Sequence, residues 1–274
     1  MRDVDIVFSA VESEAARVLE PQYAKTAAAL STASAFRYED DVPILVPGVN
    51  LAHAAWTDEQ RRRRGWQGFI APLPNCTTMG LVVTLKPLLD RFGVQRVVMT
   101  SMQGVSVAGL SPGVAALEIL DNIIPFIPGE EEKVARETGK ILDATFPVSA
   151  TCTRAAVTEG HTEAVTVSLG RAATPDDVAA AFRRFGVEFT ALGLPSAPQR
   201  MITVHDDPYR PQPRLDRDAD GGMTTSVGRI REDPVLEHGI RYLLVSHNTK
   251  MGAAKGAVLA AEWLVTKGYI PVLR

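Results

Sequence analysis

The chain has 274 residues, which is enough for one large domain or two smaller ones. A hydrophobic fraction of 46% and a formal net charge of −3 indicate a globular protein without the clustered basic face that nucleic acid binding requires. No stretch approaches the length of a membrane span, no signal peptide opens the chain, and two cysteines do not make a disulfide framework. We therefore expect a cytoplasmic protein that binds neither membranes nor nucleic acid, and no metal site is predicted.

The first 75 residues alternate short strands with helices. The apolar and amphipathic patterns predict strands at 4–10, 27–30 and 44–46 and a helix at 11–19. The run Arg61–Arg64 indicates a solvated helix end. This α/β alternation implies a parallel sheet, so the segment resembles the back half of a doubly wound domain. A front half, with the Gly-rich turn of a dinucleotide-binding unit, is expected to be missing.

The central feature of the sequence is a cysteine at the start of a helix. Residues 68–74 predict a strand and a tight turn, and the apolar run 81–89 predicts a helix. Asn75 is a suitable N-cap, since its side chain can accept from the free N–H groups of the first turn. Cys76 then lies at the positive helix end, where a thiolate is favoured. The structural alternative is a buried cysteine that acts as a small hydrophobe.

The remainder of the chain predicts a larger α+β domain. Periodicity indicates helices at 130–142, 174–185 and 253–264, strands at 96–102, 148–157, 164–169, 201–204, 223–230 and 241–245, and a long connection at 206–220. The strands at 148–157 and 164–169 alternate in the manner of an antiparallel sheet. The fold class is thus α/β plus α+β.

Several polar residues could serve a nucleophilic cysteine. His161, in a turn that leads into a strand, is the best candidate base, although a lone histidine is more often structural. Arg154 lies on an apolar strand, where a charge needs either an anionic ligand or a structural ion pair such as one with Glu163. Gln103, at a strand end, could bond an acyl oxygen or brace its own loop.

Three further charged residues are candidate ligands for a charged substrate. Glu130 and Lys133 fall one turn apart on a helix and share a face, although four consecutive charged residues often form only a solvated face. Arg37 is a candidate anion binder, with a surface arginine as the ordinary alternative.

Together these motifs resemble the archaeal and fungal branch of the aspartate-β-semialdehyde dehydrogenase family. The matching segments, which cover almost the whole chain in order, are Phe8-Ser9-Ala10, Ser34-Ala35-Phe36-Arg37, Pro74-Asn75-Cys76-Thr77-Thr78, Gln103-Gly104-Val105-Ser106, Leu120-Asp121-Asn122-Ile123-Ile124-Pro125, Gly129-Glu130-Glu131-Glu132-Lys133, Cys152-Thr153-Arg154, Gly160-His161-Thr162-Glu163, Arg210-Pro211-Gln212-Pro213-Arg214, Ser226-Val227-Gly228-Arg229 and His247-Asn248-Thr249. The resemblance implies a remnant of a doubly wound Rossmann-type domain (residues 1–75), a mixed-sheet catalytic and dimerisation domain (76–247) and a C-terminal helix (248–274) that packs back on the first domain.

The resemblance also implies the chemistry. The family reduces β-aspartyl phosphate to aspartate β-semialdehyde, with release of phosphate, in lysine, threonine and methionine biosynthesis. By this resemblance Cys76 forms a thioester, His161 is the acid/base and Gln103 orients the acyl-enzyme. The implied substrate contacts are Arg154 to the α-carboxylate, Glu130 to the α-ammonium and Arg37 and Lys133 to phosphate, with Asn75 beside them.

The resemblance implies NADP as cofactor and a homodimer or homotetramer. The implied cofactor-binding residues are Ser9, Ser106, Gly109, Asn248 and Thr249. The family's Ser-Gly-x-Gly loop has Val107 at its first glycine position, and Gly48 replaces the usual acidic residue before Val49-Asn50. Two other functions stay open: a reductase for a CoA thioester such as malonyl-CoA or succinyl-CoA, and a non-catalytic domain that only dimerises. The Arg154 and Glu130 pair favours the amino-acid substrate.

Overall fold

A computed structural model describes residues 4–107 and 116–271. The strands of the described chain are β1 (Ile6–Ser9), β2 (Ala28–Ser31), β3 (Phe69–Pro72), β4 (Val94–Gln103), β5 (Ile123–Ile124), β6 (Val148–Ala155), β7 (His161–Leu169), β8 (Ile202–Val204), β9 (Thr225–Asp233) and β10 (Gly239–Ser246). The α-helices are α1 (Ser13–Ala24), α2 (Trp56–Arg64), α3 (Cys76–Phe92), α4 (Glu130–Leu142), α5 (Pro175–Arg184), α6 (Val187–Thr190), α7 (Pro213–Asp216) and α8 (Ala254–Thr266). No helix in these two ranges is long and apolar enough to cross a membrane.

Strands β1, β2 and β3 form a parallel sheet in that order, which confirms the predicted α/β alternation. The strand predicted at 44–46 is wrong. Asn50 replaces the ladder there, because its side chain accepts from the Val46 N–H and donates to the Ile44 carbonyl, each at 2.8 Å. The segment is buried and makes one backbone bond to β3, from the Leu45 N–H to the Pro72 carbonyl at 3.0 Å, but no strand ladder. Helix α8 covers this sheet through Ala260, Ala261 and Leu264.

The second sheet has seven strands in the order β5-β6-β4-β7-β10-β9-β8. It is mixed: β4 runs parallel to β6 and antiparallel to β7. The antiparallel pattern expected at 164–169 is confirmed, since β7 is antiparallel to both of its neighbours, β4 and β10. The strand expected at 148–157 has a mixed environment, because β6 is antiparallel to β5 and parallel to β4. Period-two alternation reports that one face of a strand is buried, and it does not report the neighbour's direction. Helices α3, α4 and α5 pack against the buried face.

Helix α3 connects the two sheets. It begins four residues after β3, and its N-cap Asn75 accepts from the N–H groups of Thr77 (2.8 Å) and Thr78 (3.4 Å), as predicted. Gly93 ends the helix with a positive φ of 74°. Most of the helix is buried, so the apolar run that predicts it is buried on nearly all sides. Its first residue therefore has a position fixed by both sheets.

The long connection predicted at 206–220 has structure of its own. It contains the short helix α7 and a cis peptide bond between Arg210 and Pro211. The buried Asp216 carboxylate accepts from the Arg210 guanidinium and from the Gln212 N–H. The sequence pattern shows only proline and aspartate here, and both residue types serve turns and helix starts as well as loops.

Candidate active site

Cys76 and His161 lie in contact. Cys76 is the first residue of α3 and His161 is the first residue of β7. The Cys76 Sγ and His161 Nε2 atoms are 3.2 Å apart, although 85 positions separate the residues in sequence. A thiol at a helix N-terminus beside an imidazole is the arrangement that nucleophilic cysteine chemistry uses.

The thiol is protonated at neutral pH. Burial, and then the negative charge of Glu130, raise the pKa of Cys76 to about 12. Arg37, the Thr77 N–H and Arg154 lower this pKa, but they are outweighed. The Thr77 N–H at the helix start lowers the pKa of the thiol, in the direction predicted, but it does not decide the net shift. Removal of the sulfur from water disfavours its charged form by more than the helix end and the two arginines favour it.

His161 is fully buried and neutral. Burial, and then the positive charges of Arg154 and His247, lower its pKa to about 3. Its Nδ1 atom accepts from the Gly104 N–H at 3.1 Å, so both ring nitrogens have a neighbour. The imidazole is thus held in one orientation, with Nε2 toward the sulfur.

Glu130 joins three of the predicted site residues. Its Oε1 atom accepts from Asn75 Nδ2 at 2.7 Å and from Gln103 Nε2 at 3.3 Å, and Lys133 Nζ lies 3.7 Å from Oε2. Glu130 and Lys133 share a helix face, as the sequence predicts. Glu130 is buried and Lys133 is half-buried, whereas Glu132 is exposed, so the charged run has one side toward the site and one toward solvent.

Arg154 is nearly buried beside the end of β4. Its Nη1 atom donates to the Gly104 carbonyl at 2.9 Å and lies 3.5 Å from Gln103 Oε1. The suggested ion pair with Glu163 is not formed, because both Glu163 carboxylate oxygens are buried without a hydrogen-bond partner. No carboxylate of the described residues forms an ion pair with this guanidinium.

Arg37 is buried and already bonded on three sides. Its guanidinium donates to the carbonyls of Leu73 and Thr32, each at 2.8 Å, and to Glu137 Oε1 at 2.9 Å. It is therefore not a surface arginine. Its predicted contact with phosphate stays a prediction, since these bonds occupy much of its donor capacity.

Glu137 is a site residue that the sequence analysis missed. It is fully buried, and its Oε2 atom accepts from the Asn75 N–H at 2.6 Å while Oε1 accepts from Arg37. The helix pattern of α4 contained enough information to identify Glu137. Glu137 lies seven positions after Glu130, on the same α4 face as Val134, and a charge on a buried face indicates a partner.

The residues predicted to bind the cofactor lie in two places. Ser106, Asn248 and Thr249 lie near one another, and Ser9 lies apart from them. Asn248 donates to the Ser106 hydroxyl and accepts from the Gly160 N–H, each at 2.8 Å, and Thr249 donates to Glu159. This group adjoins His161 through Gly160. Ser9 lies at the end of β1, where its hydroxyl donates to the buried Glu20 carboxylate at 2.7 Å. Gly109 lies outside the described residues.

Family models match both parts of the chain. Residues 1–57 match the semialdehyde dehydrogenase NAD binding domain, and residues 85–251 match the semialdehyde dehydrogenase dimerisation domain. The parallel sheet, the mixed sheet and the cysteine between them thus define an enzyme of the semialdehyde dehydrogenase class.

Comparison with individual proteins narrows this class. The chain is 47% identical to aspartate-semialdehyde dehydrogenase of Methanothermobacter thermautotrophicus over 95% of its length and 77% of the relative, and 41% identical to that of Saccharomyces cerevisiae, over 98% and 80%. The crystal structure of aspartate semialdehyde dehydrogenase with NADP from Candida albicans superposes with a TM-score of 0.86 at 38% identity, covering 97% of this chain and 79% of that chain. The chain belongs to the aspartate-semialdehyde dehydrogenase family.

Proposed function

We propose that the protein catalyses the NADP-dependent reductive dephosphorylation of β-aspartyl phosphate to aspartate β-semialdehyde and phosphate, through a thioester on Cys76. The observation that carries this proposal is the 3.2 Å contact between Cys76 Sγ and His161 Nε2 at the start of α3. The reaction would supply the semialdehyde for lysine, threonine and methionine biosynthesis. Membership of the family and the close relatives in archaea and fungi support the choice of reaction.

Charges of both signs around the thiol suit a substrate that is both a zwitterion and a phosphate. In the proposal Arg154 binds the α-carboxylate, because its planar guanidinium has no ion-pair partner among the described residues. Glu130 binds the α-ammonium, and Lys133, its exposed neighbour, contacts the phosphate. Asn75 holds Glu130 in place and Arg37 supports the turn before the thiol, from which it could reach a phosphate oxygen. A CoA thioester would leave the Arg154 and Glu130 pair without a ligand.

The residues at the carboxyl ends of β1–β3 and around Asn248 suit a nicotinamide cofactor. The strands end at the edge where α3 begins, which is where dinucleotides bind in parallel sheets. Ser106, Asn248 and Thr249 supply polar groups beside His161, and Ser9 lies at the end of β1. The assignment to NADP rests on the structure of the Candida albicans relative. When bound, NADPH supplies the hydride that reduces the thioester.

The protein's own groups carry the acyl-transfer steps. The Cys76 sulfur attacks the acyl carbon, a C–S bond forms, and the C–O bond to phosphate breaks so that phosphate leaves with the electron pair. Gln103, which is bonded to Glu130, positions the acyl oxygen. His161 serves as the acid/base at the sulfur and the carbonyl oxygen. After reduction the C–S bond breaks and the sulfur is restored.

We also propose that the protein is a homodimer through the exposed face of the second sheet. The matched dimerisation domain covers this sheet. Val98, on the outer face of β4, is 47% exposed, and Thr100 and Thr151 beside it are also exposed. A sheet face without a covering layer favours association.

The test is NADP reduction with aspartate semialdehyde and phosphate. We expect activity in the wild type and in Cys152→Ala, which removes the other cysteine, and loss of at least about a thousandfold in Cys76→Ala. Equal activity in Cys76→Ala and wild type would overturn the nucleophile. Absence of activity in the wild type, with malonyl-CoA and succinyl-CoA reduced instead, would overturn the substrate.

A further inference from the structure

The two oxygens of the Glu130 carboxylate have different surroundings. Oε1 accepts from Asn75 Nδ2 at 2.7 Å and from Gln103 Nε2 at 3.3 Å. A carboxylate oxygen offers two acceptor positions, so these amides occupy both positions of Oε1. Oε2 faces Lys133 Nζ at 3.7 Å. A cation that binds Glu130 must therefore approach Oε2, beside the Lys133 ammonium.

The amides that bind Oε1 are fixed by the elements to which they belong. The Asn75 side chain caps α3, while the Asn75 N–H donates to Glu137 at 2.6 Å. Gln103 is the last residue of β4, and its Nε2 atom also donates to the Ser101 hydroxyl at 3.2 Å. The Glu130 side chain is only 8% exposed. The carboxylate therefore keeps Oε1 occupied, and Oε2 is the oxygen that a ligand can reach.

Lys133 is held much less firmly than Glu130. Its side chain is 35% exposed, and the 3.7 Å separation of Nζ from Oε2 is longer than a hydrogen bond. Among the described residues, Glu130 is the partner of this ammonium. A lysine carries its charge on a flexible aliphatic stem. Rotation within the Lys133 side chain can therefore move Nζ away from Glu130 without disturbing the backbone of α4.

Arg37, the other cation predicted to contact phosphate, cannot change partners in this way. It is nearly buried, and its guanidinium donates to two backbone carbonyls and to Glu137. Its movement would leave a buried carboxylate and two carbonyls without their donors, which is costly in a protein interior. Lys133 is thus the cation that can respond when a ligand reaches the site.

We propose that Lys133 exchanges one anion for another when the amino-acid substrate binds. In the free protein Lys133 pairs with Glu130 Oε2. When the substrate α-ammonium takes this oxygen, the two cations repel each other at short range, and Lys133 Nζ turns to the phosphate. One carboxylate oxygen then couples recognition of the amino group to binding of phosphate. The identity of the two ligands rests on the proposed function, whereas the pairing of Glu130 with Lys133 does not.

This exchange makes Lys133 a specificity-determining residue. Succinate semialdehyde has the chain and the carboxylate of aspartate β-semialdehyde but no amino group. It leaves Lys133 paired with Glu130, so that phosphate meets Arg37 without the second cation. Because coupling between two ligands is reciprocal, phosphate should in turn favour the aldehyde that carries an ammonium. The site selects against the deamino compound when phosphate binds as well as when the aldehyde binds.

The coupling can be measured by calorimetric titration of inorganic phosphate into Cys76→Ala, which cannot form a thioester. The protein is first saturated with aspartate β-semialdehyde or with succinate semialdehyde. We expect the Kd for phosphate to be lower with the amino aldehyde by about tenfold. In Cys76→Ala/Glu130→Gln the lysine is free with either aldehyde, so the two Kd values should agree and be low. In Cys76→Ala/Lys133→Gln they should agree and be high.

Further variants and titrations separate this exchange from the proposed function and from folding. Glu132→Gln makes the matched change on the exposed face of α4 and should keep the difference between the two aldehydes. Equal phosphate affinities in Cys76→Ala, or a difference that survives in Lys133→Gln, would overturn the exchange. Titration of aspartate β-semialdehyde alone tests the proposed function, because absence of binding would overturn the assigned substrate, and the exchange with it. Thermal unfolding of each variant controls for folding.

Discussion

Two buried glutamates flank the first turns of α3, and their surroundings are opposite. Glu137, on the α4 side, accepts hydrogen bonds from Arg37, Tyr38 and the Asn75 N–H. Glu163, on the β7 side, has no hydrogen-bond partner on either oxygen, and burial raises its pKa well above 4.5. Both side chains have no exposed surface. The comparison shows that two carboxylates with the same burial differ in their hydrogen bonds, and the one without a partner is the one whose pKa burial raises.

The largest change in stability is expected for substitution of Glu137, the glutamate with hydrogen-bond partners. Glu137→Ala leaves the Arg37 guanidinium and the Asn75 N–H without their acceptor, so the free energy of unfolding should fall by about 3–5 kcal/mol. Urea unfolding measures this change. Glu132→Ala, on the exposed face of the same helix, is the matched control and should change stability by less than about 0.5 kcal/mol. Similar values for the two variants would contradict the view that Glu137 holds this end of α3.

The free energy of unfolding should depend on pH through Glu163, the glutamate without a hydrogen-bond partner. The folded protein keeps the Glu163 proton in a range where the unfolded chain has lost it, so wild-type stability falls as pH rises above about 4.5 toward the raised folded pKa. The slope is up to about 1.4 kcal/mol per pH unit. Glu163→Gln removes this dependence, so the free energy of unfolding of the variant should rise relative to that of the wild type as pH increases from 5 to 8. Unfolding curves at pH 5 to 8 for both proteins test this, and parallel curves would refute a protonated Glu163.

A smaller change in stability should distinguish the two roles of Asn75, which caps α3 and also contacts Glu130. Asn75→Ala loses the cap of α3, at a cost of about 1 kcal/mol, as well as the contact with Glu130. Asn75→Ser keeps a cap oxygen but does not reach Glu130. We expect the serine variant to recover most of the stability while both variants show a raised KM for aspartate semialdehyde. Full recovery of KM in the serine variant would mean that the Glu130 contact has no role.

The smallest change in stability is expected far from the site, at the side-chain cap of α5. Thr174 caps α5 in a reciprocal capping box with Asp177 on the surface. Thr174→Ala should lower the free energy of unfolding by about 0.5–1 kcal/mol, and kcat and KM should not change. A change in kcat would show that the two caps are coupled and would weaken the contrast drawn at Asn75.

Local patterns predicted what depends on neighbours in sequence. Helix α4 has the predicted bounds, α5 begins one residue after the predicted start at 174, and Asn75 caps α3. The strand predicted at 44–46 failed because the side chain that replaces its ladder, Asn50, has no pattern that distinguishes it from a loop asparagine. The order β6-β4-β7 was not predictable, since alternation carries no information about the partner strand.

The sequence predicted which residues form the candidate site. It did not predict the pKa shifts of those residues. Cys76 and His161 meet although nothing local relates them, and the motifs of the family supplied that pairing. The helix start lowers the pKa of Cys76 as predicted, but the net rise was not predictable, because the burial of Sγ and the charge of Glu130 depend on the tertiary structure. The contact between the Gly104 N–H and His161 was not predictable, since a backbone group leaves no signal in the residue pattern.

The ion pair between Arg37 and Glu137 has a mechanical consequence. Arg37 follows β2 of the first sheet and donates to the Leu73 carbonyl, just after β3, whereas Glu137 belongs to α4, which packs on the second sheet. A hinge rotation of one sheet against the other would have to separate this buried pair and pull the Asn75 N–H from its acceptor. The two sheets should therefore move as one body at the nucleophile, and exchange of bound molecules should depend on loops rather than on domain opening.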